Sequence, residues 1–80
     1  MLDQDFSEAL LHKLGDKIKE CRIGKGISQV DLARNCEMEK STLSKIESGK
    51  VNVSFLTIYR LANCLTISLG EIVNVIETKQ

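Results

Sequence analysis

Residues 28–49 contain two short helical patterns separated by only three residues, and this spacing constrains the fold more than any other feature of the chain. Ser28 suits the N-cap of the first helix, because its hydroxyl can accept a hydrogen bond from a backbone N–H of the first turn. The apolar residues that follow recur at helical spacing: Val30, Leu32, Ala33 and Cys36. Residues 37–39 interrupt the pattern, and a second helix is predicted over about residues 40–48. The sequence therefore predicts two short helices joined by a tight turn.

The second helix of this pair has two chemically different faces. At about 100° per residue, Leu43 and Ile46 share one side, and Gly49 suits the left-handed conformation that commonly ends a helix. The other side and its flanks carry hydroxyl and lysine side chains: Lys40, Ser41, Thr42, Ser44, Lys45 and Ser48. In a helix-turn-helix, the second helix enters the DNA major groove. An ordinary solvated polar face is also compatible with the pattern.

The rest of the chain predicts a single all-helical domain over residues 1–80. Proline is absent, and valine and isoleucine recur at helical rather than alternating spacing. We expect helix 1 over about residues 8–25 after a Ser7 cap, with Gly15 tolerated inside it, and Met38 pointing inward from the turn. Helix 4 should follow Ser54 and helix 5 should follow Ser68, while residues 1–6 and 77–80 should be frayed. The predicted apolar stripe of helix 4 is Phe55, Ile58, Leu61, Ala62 and Leu65, and that of helix 5 is Leu69, Ile72, Val73 and Ile76.

Charge is balanced over the whole chain but not along it. Eleven acidic and eleven basic residues give a net charge of zero, whereas nucleic-acid-binding domains are often basic. Lys40, Lys45 and Lys50 nevertheless cluster in and after the second short helix, and this clustering can present a positive face. Neutrality predicts weak non-specific binding to DNA and a need for dimerisation.

The cysteines and the single histidine give no sign of a metal site or a cofactor. Cys21, Cys36 and Cys64 lack the paired spacing of zinc ligands, and we predict all three to be reduced, buried and apolar in character. His12 is predicted to lie on the surface. No apolar run approaches the length of a membrane span or a signal peptide, so we expect a cytoplasmic protein.

The two runs ISQVDLA and STLSKIESGK together resemble the phage-repressor/Cro family of DNA-binding domains, the Xre family of bacterial and phage regulators. The resemblance covers roughly residues 14–73. It implies a five-helix, lambda-repressor-like fold with a helix-turn-helix at helices 2 and 3.

The resemblance also implies roles for individual residues. Positions that reach base edges in the family are Lys40, Ser41, Thr42 and Lys45. Positions at or near the DNA backbone are Ser28, Gln29, Lys50 and Asn52, with Ser44 and Ser48 contacting phosphates or packing against the protein. Arg22 and Glu47 stand where the family has an ion pair between helix 1 and the recognition helix; two unrelated surface charges are the alternative.

Four residues depart from the family pattern. Glu37 stands where a turn glycine is usual, so it must adopt a left-handed conformation or the turn must differ. Glu39 replaces the usual Ser or Thr cap of the recognition helix. Val53 replaces a frequent proline, and Thr66 replaces a frequent glycine.

These features predict a transcriptional regulator, a repressor among the family's roles, that binds double-stranded DNA. We expect a homodimer on a near-palindromic operator, since one recognition helix reads few base pairs. The candidate interface comprises Leu69, Val73, Val75 and Ile76, unless these residues face the protein's own core. No catalytic set or phosphate-binding loop is present, and we expect no enzyme activity or small-molecule ligand. The alternative is an antitoxin or other module that holds a protein partner; a restriction–modification controller is a subtype of the first hypothesis.

Overall fold

The computed structural model describes residues 4–74, and these form five α-helices without a strand. The helices are α1 (Gln4–Gly24), α2 (Gln29–Asn35), α3 (Lys40–Glu47), α4 (Phe55–Leu65) and α5 (Leu69–Val73). The all-α, five-helix prediction is confirmed. α3 lies between α1 and α2, while α4 and α5 contact each other and α1.

Three helices begin at a serine whose hydroxyl accepts a hydrogen bond from the backbone N–H three residues later. The pairs are Ser28 with Asp31 (3.0 Å), Ser54 with Thr57 (3.1 Å) and Ser68 with Glu71 (3.1 Å). Each hydroxyl satisfies a donor that the helix itself leaves unpaired. α3 begins instead at Glu39, which makes no side-chain cap hydrogen bond.

The first helix begins earlier than predicted. α1 starts at Gln4, so Ser7 lies inside the helix and residues 4–6 are helical rather than frayed. A serine inside a helix costs only a fraction of a kcal/mol, and a residue that could cap therefore does not force the helix to begin there. The other residues predicted to be frayed, 1–3 and 77–80, lie outside the residues that the structure describes.

The core is aliphatic and draws on every helix. Its buried side chains are Leu14, Ile18, Leu32, Ala33, Cys36, Leu43, Ile46, Ile58, Leu61, Ala62, Leu65 and Ile72. Met38 packs partly buried against this cluster, as predicted. Val30 and Phe55 were expected among the inward-facing residues, but they are 46% and 63% exposed. Val30 lies about 160° around α2 from Leu32, by the 3.6-residue period, and Phe55 is the first residue of α4, at the edge of its apolar stripe.

Two non-glycine residues hold a left-handed backbone. Glu37 and Thr66 both have φ of 56°, at the positions where the resembling family has a turn glycine and a frequent glycine. Glu37 follows the C-cap of α2, and Thr66 is the C-cap of α4. Both turns therefore use a conformation that glycine adopts without cost, although neither residue here is a glycine.

Gly15 allows α1 to approach α3 closely. A Cβ atom at Gly15 would overlap the carbonyl oxygen of Ile46 and would lie 2.6 Å from that of Glu47. Both oxygens belong to the last turn of α3. The sequence suggested only a glycine tolerated inside a helix, whereas the structure shows that the contact between α1 and α3 requires one.

The cysteines differ from the prediction of three reduced thiols. The structure joins Cys36, at the end of α2, to Cys64 of α4 as a disulfide, and leaves Cys21 free and half-buried. The Cα atoms of the bonded pair lie 6.1 Å apart, within the range that a disulfide spans. Because the two cysteines are 28 positions apart in the sequence, only the packing of α2 against α4 reveals their proximity.

Candidate nucleic-acid interface

The outer face of α3 carries the predicted polar side chains into solvent. Lys40, Ser41, Thr42, Lys45 and Ser48 are exposed and Ser44 is half-buried, whereas Leu43, Ile46 and Glu47 are buried on the opposite side. Among the described residues, neither Lys40 nor Lys45 forms an ion pair. This face therefore presents uncompensated positive charge and small hydroxyl groups on one rigid helix.

The loop after α3 extends this face toward α4. Lys50 and Asn52 are exposed, and Gly49 turns the chain with φ of 73°. A cleft of about 390 Å³ opens between α3, this loop and the start of α4. It is lined by Thr42, Lys45, Ile46, Val51, Asn52, Val53, Ser54 and Thr57. Residues expected to reach bases and residues expected to reach the backbone thus border one depression.

A buried ion pair fixes α3 to the end of α1. Arg22 donates from Nε to Oε2 of Glu47 at 2.7 Å and from Nη2 to Oε1 at 3.1 Å. The two residues are only 8% and 4% exposed. Nη1 of Arg22 also donates to the carbonyl of Ile27 in the α1–α2 loop, at 2.8 Å. The structure brings together the two residues that the resemblance pairs, in the two-point geometry typical of arginine and carboxylate.

Gln29 joins the same network. Its Nε2 donates to Oε1 of Glu47 at 2.9 Å, so the first residue of α2 is fixed to the last residue of α3. Sequence reasoning placed Gln29 near DNA but missed this hydrogen bond, because nothing local connects residues 18 positions apart. Ser28 is exposed, and its oxygen accepts the cap hydrogen bond, while its own proton has no acceptor in the described part of the chain.

The hydroxyls of Ser44 in α3 and of its C-cap Ser48 differ in what they can donate. Ser48 Oγ donates to the carbonyl of Ser44 at 2.9 Å, with a second contact to that of Lys45 at 3.3 Å. Ser44 Oγ has no hydrogen-bond partner among residues 4–74. Of these two hydroxyls, that of Ser44 therefore has its proton free to contact a phosphate.

A second cleft adjoins this network on the α1 side of α3. It has a volume of about 230 Å³ and is lined by Asp16, Lys19, Gln29, Ser44, Glu47 and Ser48. Sequence reasoning missed Asp16 and Lys19. A signal existed for Lys19, which precedes Arg22 by three residues and so lies about 60° from it around α1, whereas Asp16 lies about 120° from Arg22.

Of the four residues expected to form a dimer interface, two lie within the part of the chain that the structure describes. Leu69 and Val73 are half-buried and pack against the core, while Val75 and Ile76 lie outside the described residues. The large exposed apolar side chains of α4 are Phe55, Leu56 and Tyr59, at 63%, 72% and 49%. Phe55 belongs to the predicted apolar stripe of α4, whereas Leu56 and Tyr59 lie outside it. The exposure of these three side chains follows from how α4 packs and could not be read from the sequence.

The turn between α2 and α3 carries negative charge. Glu37 and Glu39 are both exposed there, beside the start of the lysine-bearing helix. Within residues 4–74, no group of acidic, histidine and cysteine side chains is arranged to hold a metal ion. The described helices also include none with the length and apolar character of a membrane span.

Comparison with known proteins identifies the family to which this chain belongs. The model of the helix-turn-helix family HTH_3 matches residues 18–72, which include α2, α3 and α4. The control protein C.MunI from a Mycoplasma species is 33% identical over 66 residues, which cover 81% of this chain and 89% of the relative.

Two solved structures extend the comparison. The restriction-modification controller protein C.AhdI from Aeromonas hydrophila is 38% identical, with a TM-score of 0.78 over 80% of this chain and 97% of its own. The clp gene regulator ClgR from Corynebacterium glutamicum is 26% identical, with a TM-score of 0.78 over 85% of each chain. The family match spans the turn, the exposed α3 face and the buried Arg22–Glu47 pair, and the chain accordingly belongs to the HTH_3 helix-turn-helix family of DNA-binding transcriptional regulators, which are not enzymes.

Proposed function

We propose that this protein is a controller of a restriction–modification system that binds a near-palindromic operator as a homodimer. The observation that carries the proposal is the exposed α3 face, on which Lys40 and Lys45 have no ion-pair partner among the described residues. The controller assignment is supported by C.MunI and C.AhdI, the controller relatives at 33% and 38% identity. Such a regulator acts in the cytoplasm, which contains the operator DNA that it binds.

The α3 face reads the operator in the major groove. Lysine can donate to guanine O6 and N7, and a threonine methyl can contact the thymine methyl. Base contacts come from Lys40, Ser41, Thr42 and Lys45. Contacts to the phosphate backbone come from Ser28, Gln29, Ser44, Lys50 and Asn52. Ser48 takes a packing role, because its hydroxyl proton is already donated within α3.

Homodimerisation supplies the second recognition helix. One α3 of eight residues reads too few base pairs for useful specificity, and dimers place two such helices about 10 base pairs apart or a multiple of that distance. The neutral chain has little general attraction for DNA, which increases this need. We place the interface on the exposed apolar side chains of α4 together with the end of α5, since Leu69 and Val73 alone are already half-buried.

Selection of bound duplexes from a random DNA pool tests the operator, and light scattering tests the dimer. We expect a near-palindromic consensus and a dimer at tens of micromolar protein. Leu56→Glu should give a monomer that binds the full operator weakly, whereas Ile23→Glu, a matched change at an exposed residue of α1, should remain dimeric.

Two outcomes contradict the proposal in different ways. A monomeric wild-type protein that binds single half-sites contradicts the dimer and leaves DNA recognition in place. No retardation of diverse duplexes at low ionic strength contradicts DNA recognition itself and favours the antitoxin alternative.

A further inference from the structure

We infer that the cleft between α1 and α3 is an additional binding site for one DNA backbone phosphate, and that Lys19 supplies the positive charge of this site. The inference rests on the proposed function, since it concerns DNA bound on the α3 face. The resemblance places Gln29 and Ser44 of this cleft near the DNA backbone but assigns no role to Lys19. The cleft borders that face directly, because Ser44 and Ser48 of α3 line it.

The cleft contains donor groups that the protein itself does not use. Lys19 is exposed and forms no ion pair among the described residues. The hydroxyl of Ser44 likewise has no partner within residues 4–74. A phosphate needs several donors around one anionic group, and lysine and hydroxyl side chains are among those that most often contact it in DNA complexes.

Gln29 adds a third donor whose orientation is fixed by chemistry. The carboxylate of Glu47 only accepts hydrogen bonds, so Gln29 must direct its NH2 group, not its carbonyl oxygen, toward Glu47. One N–H is used in the 2.9 Å hydrogen bond to Oε1, and the second has no acceptor within the described segment 4–74. Glu47 is 4% exposed and is held by two hydrogen bonds from Arg22, so the Gln29 amide has a rigid support. Glu47 thereby acts as a positioning residue for Gln29.

The charges around the cleft allow an anion to bind but limit the attraction. The negative charge of Glu47 is compensated by Arg22 at 2.7 Å. Asp16 lines the same cleft, has no ion-pair partner among the described residues and opposes a phosphate. The balance predicts that Lys19 and Asp16 have opposite effects on DNA affinity.

Salt titration of operator binding by the full-length chain tests the inference. Each phosphate contact neutralised by a cation contributes about −0.9 to the slope of log K against log[salt]. We expect Lys19→Ala to make this slope shallower by about 0.9. The ratio of wild-type to variant affinity should therefore be about eightfold larger at 0.1 M salt than at 1 M salt. Base preference should not change, and Asp16→Asn should tighten binding.

Lys17→Ala is the matched control. It removes the same charge from α1, but Lys17 lies beside Glu71 and Ile67 of the α5 end and pairs with Glu20 at 3.8 Å. Its slope should equal that of the wild type. Ethylation interference should also reveal one phosphate per half-site whose ethylation weakens the wild type more than it weakens Lys19→Ala, in which Ser44 and Gln29 still donate.

Equal salt slopes for Lys19→Ala, Lys17→Ala and wild type would overturn the inference and leave the proposed function intact. Loss of sequence preference in Lys19→Ala would also overturn it, because that result assigns Lys19 to a base. Failure of the wild type to bind any duplex overturns both. Circular dichroism of each variant confirms that the fold is retained.

Discussion

Glu47 at the end of α3 receives two hydrogen bonds from Arg22 at the end of α1, and both side chains are buried beneath the face that we propose for DNA. The carboxylate also accepts a hydrogen bond from Gln29 of α2. A single residue therefore connects the two helices of the helix-turn-helix to the long first helix. The angle at which α3 is presented depends on this junction.

Loss of one partner of this pair should strongly destabilise the protein. Arg22→Met leaves the Glu47 carboxylate buried without its cation, which costs on the order of 3–5 kcal/mol. Urea unfolding followed by circular dichroism measures the change. Arg34→Ala is the control, since the ion pair of Arg34 with Asp31 is exposed and should contribute less than about 1 kcal/mol. A loss below about 1 kcal/mol in Arg22→Met would contradict the prediction.

Gly15→Ala should destabilise the protein although alanine favours helices. The added Cβ would lie 2.6 Å from the carbonyl oxygen of Glu47, and relief of such overlap costs roughly 1–3 kcal/mol. Gly24→Ala, at the end of the same helix, meets nothing within 4 Å and should be neutral or stabilising by up to about 1 kcal/mol. Thermal unfolding measures the difference. The midpoint temperature should fall clearly in Gly15→Ala and should stay unchanged or rise in Gly24→Ala.

Glu37→Gly should stabilise the fold. The left-handed backbone at Glu37, with φ of 56°, costs a side-chain-bearing residue about 1–2 kcal/mol, part of which glycine loses again through its greater freedom when unfolded. We expect a net gain of about 1 kcal/mol in the free energy of unfolding. Glu37→Ala removes the same charge but keeps the Cβ, so a gain of equal size in that variant would assign the effect to charge.

Lys45→Ala should relax recognition at one operator position. If Lys45 donates to a guanine, its loss costs roughly 1–3 kcal/mol for the preferred base and little for the others. Binding to a set of operators substituted at each position measures this preference. Lys13→Ala, an exposed change on α1, should leave the preference unaltered. Uniform weakening across all sequences would instead assign Lys45 to a phosphate.

Cys21 should react slowly with thiol reagents near neutral pH. Desolvation by burial raises the pKa of this thiol, and the neighbouring Lys17 only partly opposes the effect. The reactive thiolate therefore forms only at pH above the ordinary range of cysteine. Labelling of the native protein should accelerate with rising pH and disappear in Cys21→Ser. Because the folded state holds this proton more tightly, stability should fall as pH rises past the ordinary pKa of a thiol.

The amino-acid sequence by itself determined the local parts of this protein. The serine caps of α2, α4 and α5, the glycine that ends the recognition helix and the polar face of α3 all follow from side-chain chemistry within a few residues. Helical periodicity also identified the buried side of α3, because Leu43 and Ile46 recur on one side of it.

The tertiary structure alone decided what depends on distance between separate helices. Periodicity gives a direction around a helix but not a depth, which is why Phe55 and Val30 are exposed against expectation. Three features join residues that are far apart in the chain. They are the hydrogen bond of Gln29 to Glu47, the disulfide of Cys36 with Cys64 and the cleft beside Lys19. Their proximity follows from how α1, α2 and α4 pack, since no local rule relates side chains separated by a turn and a second helix.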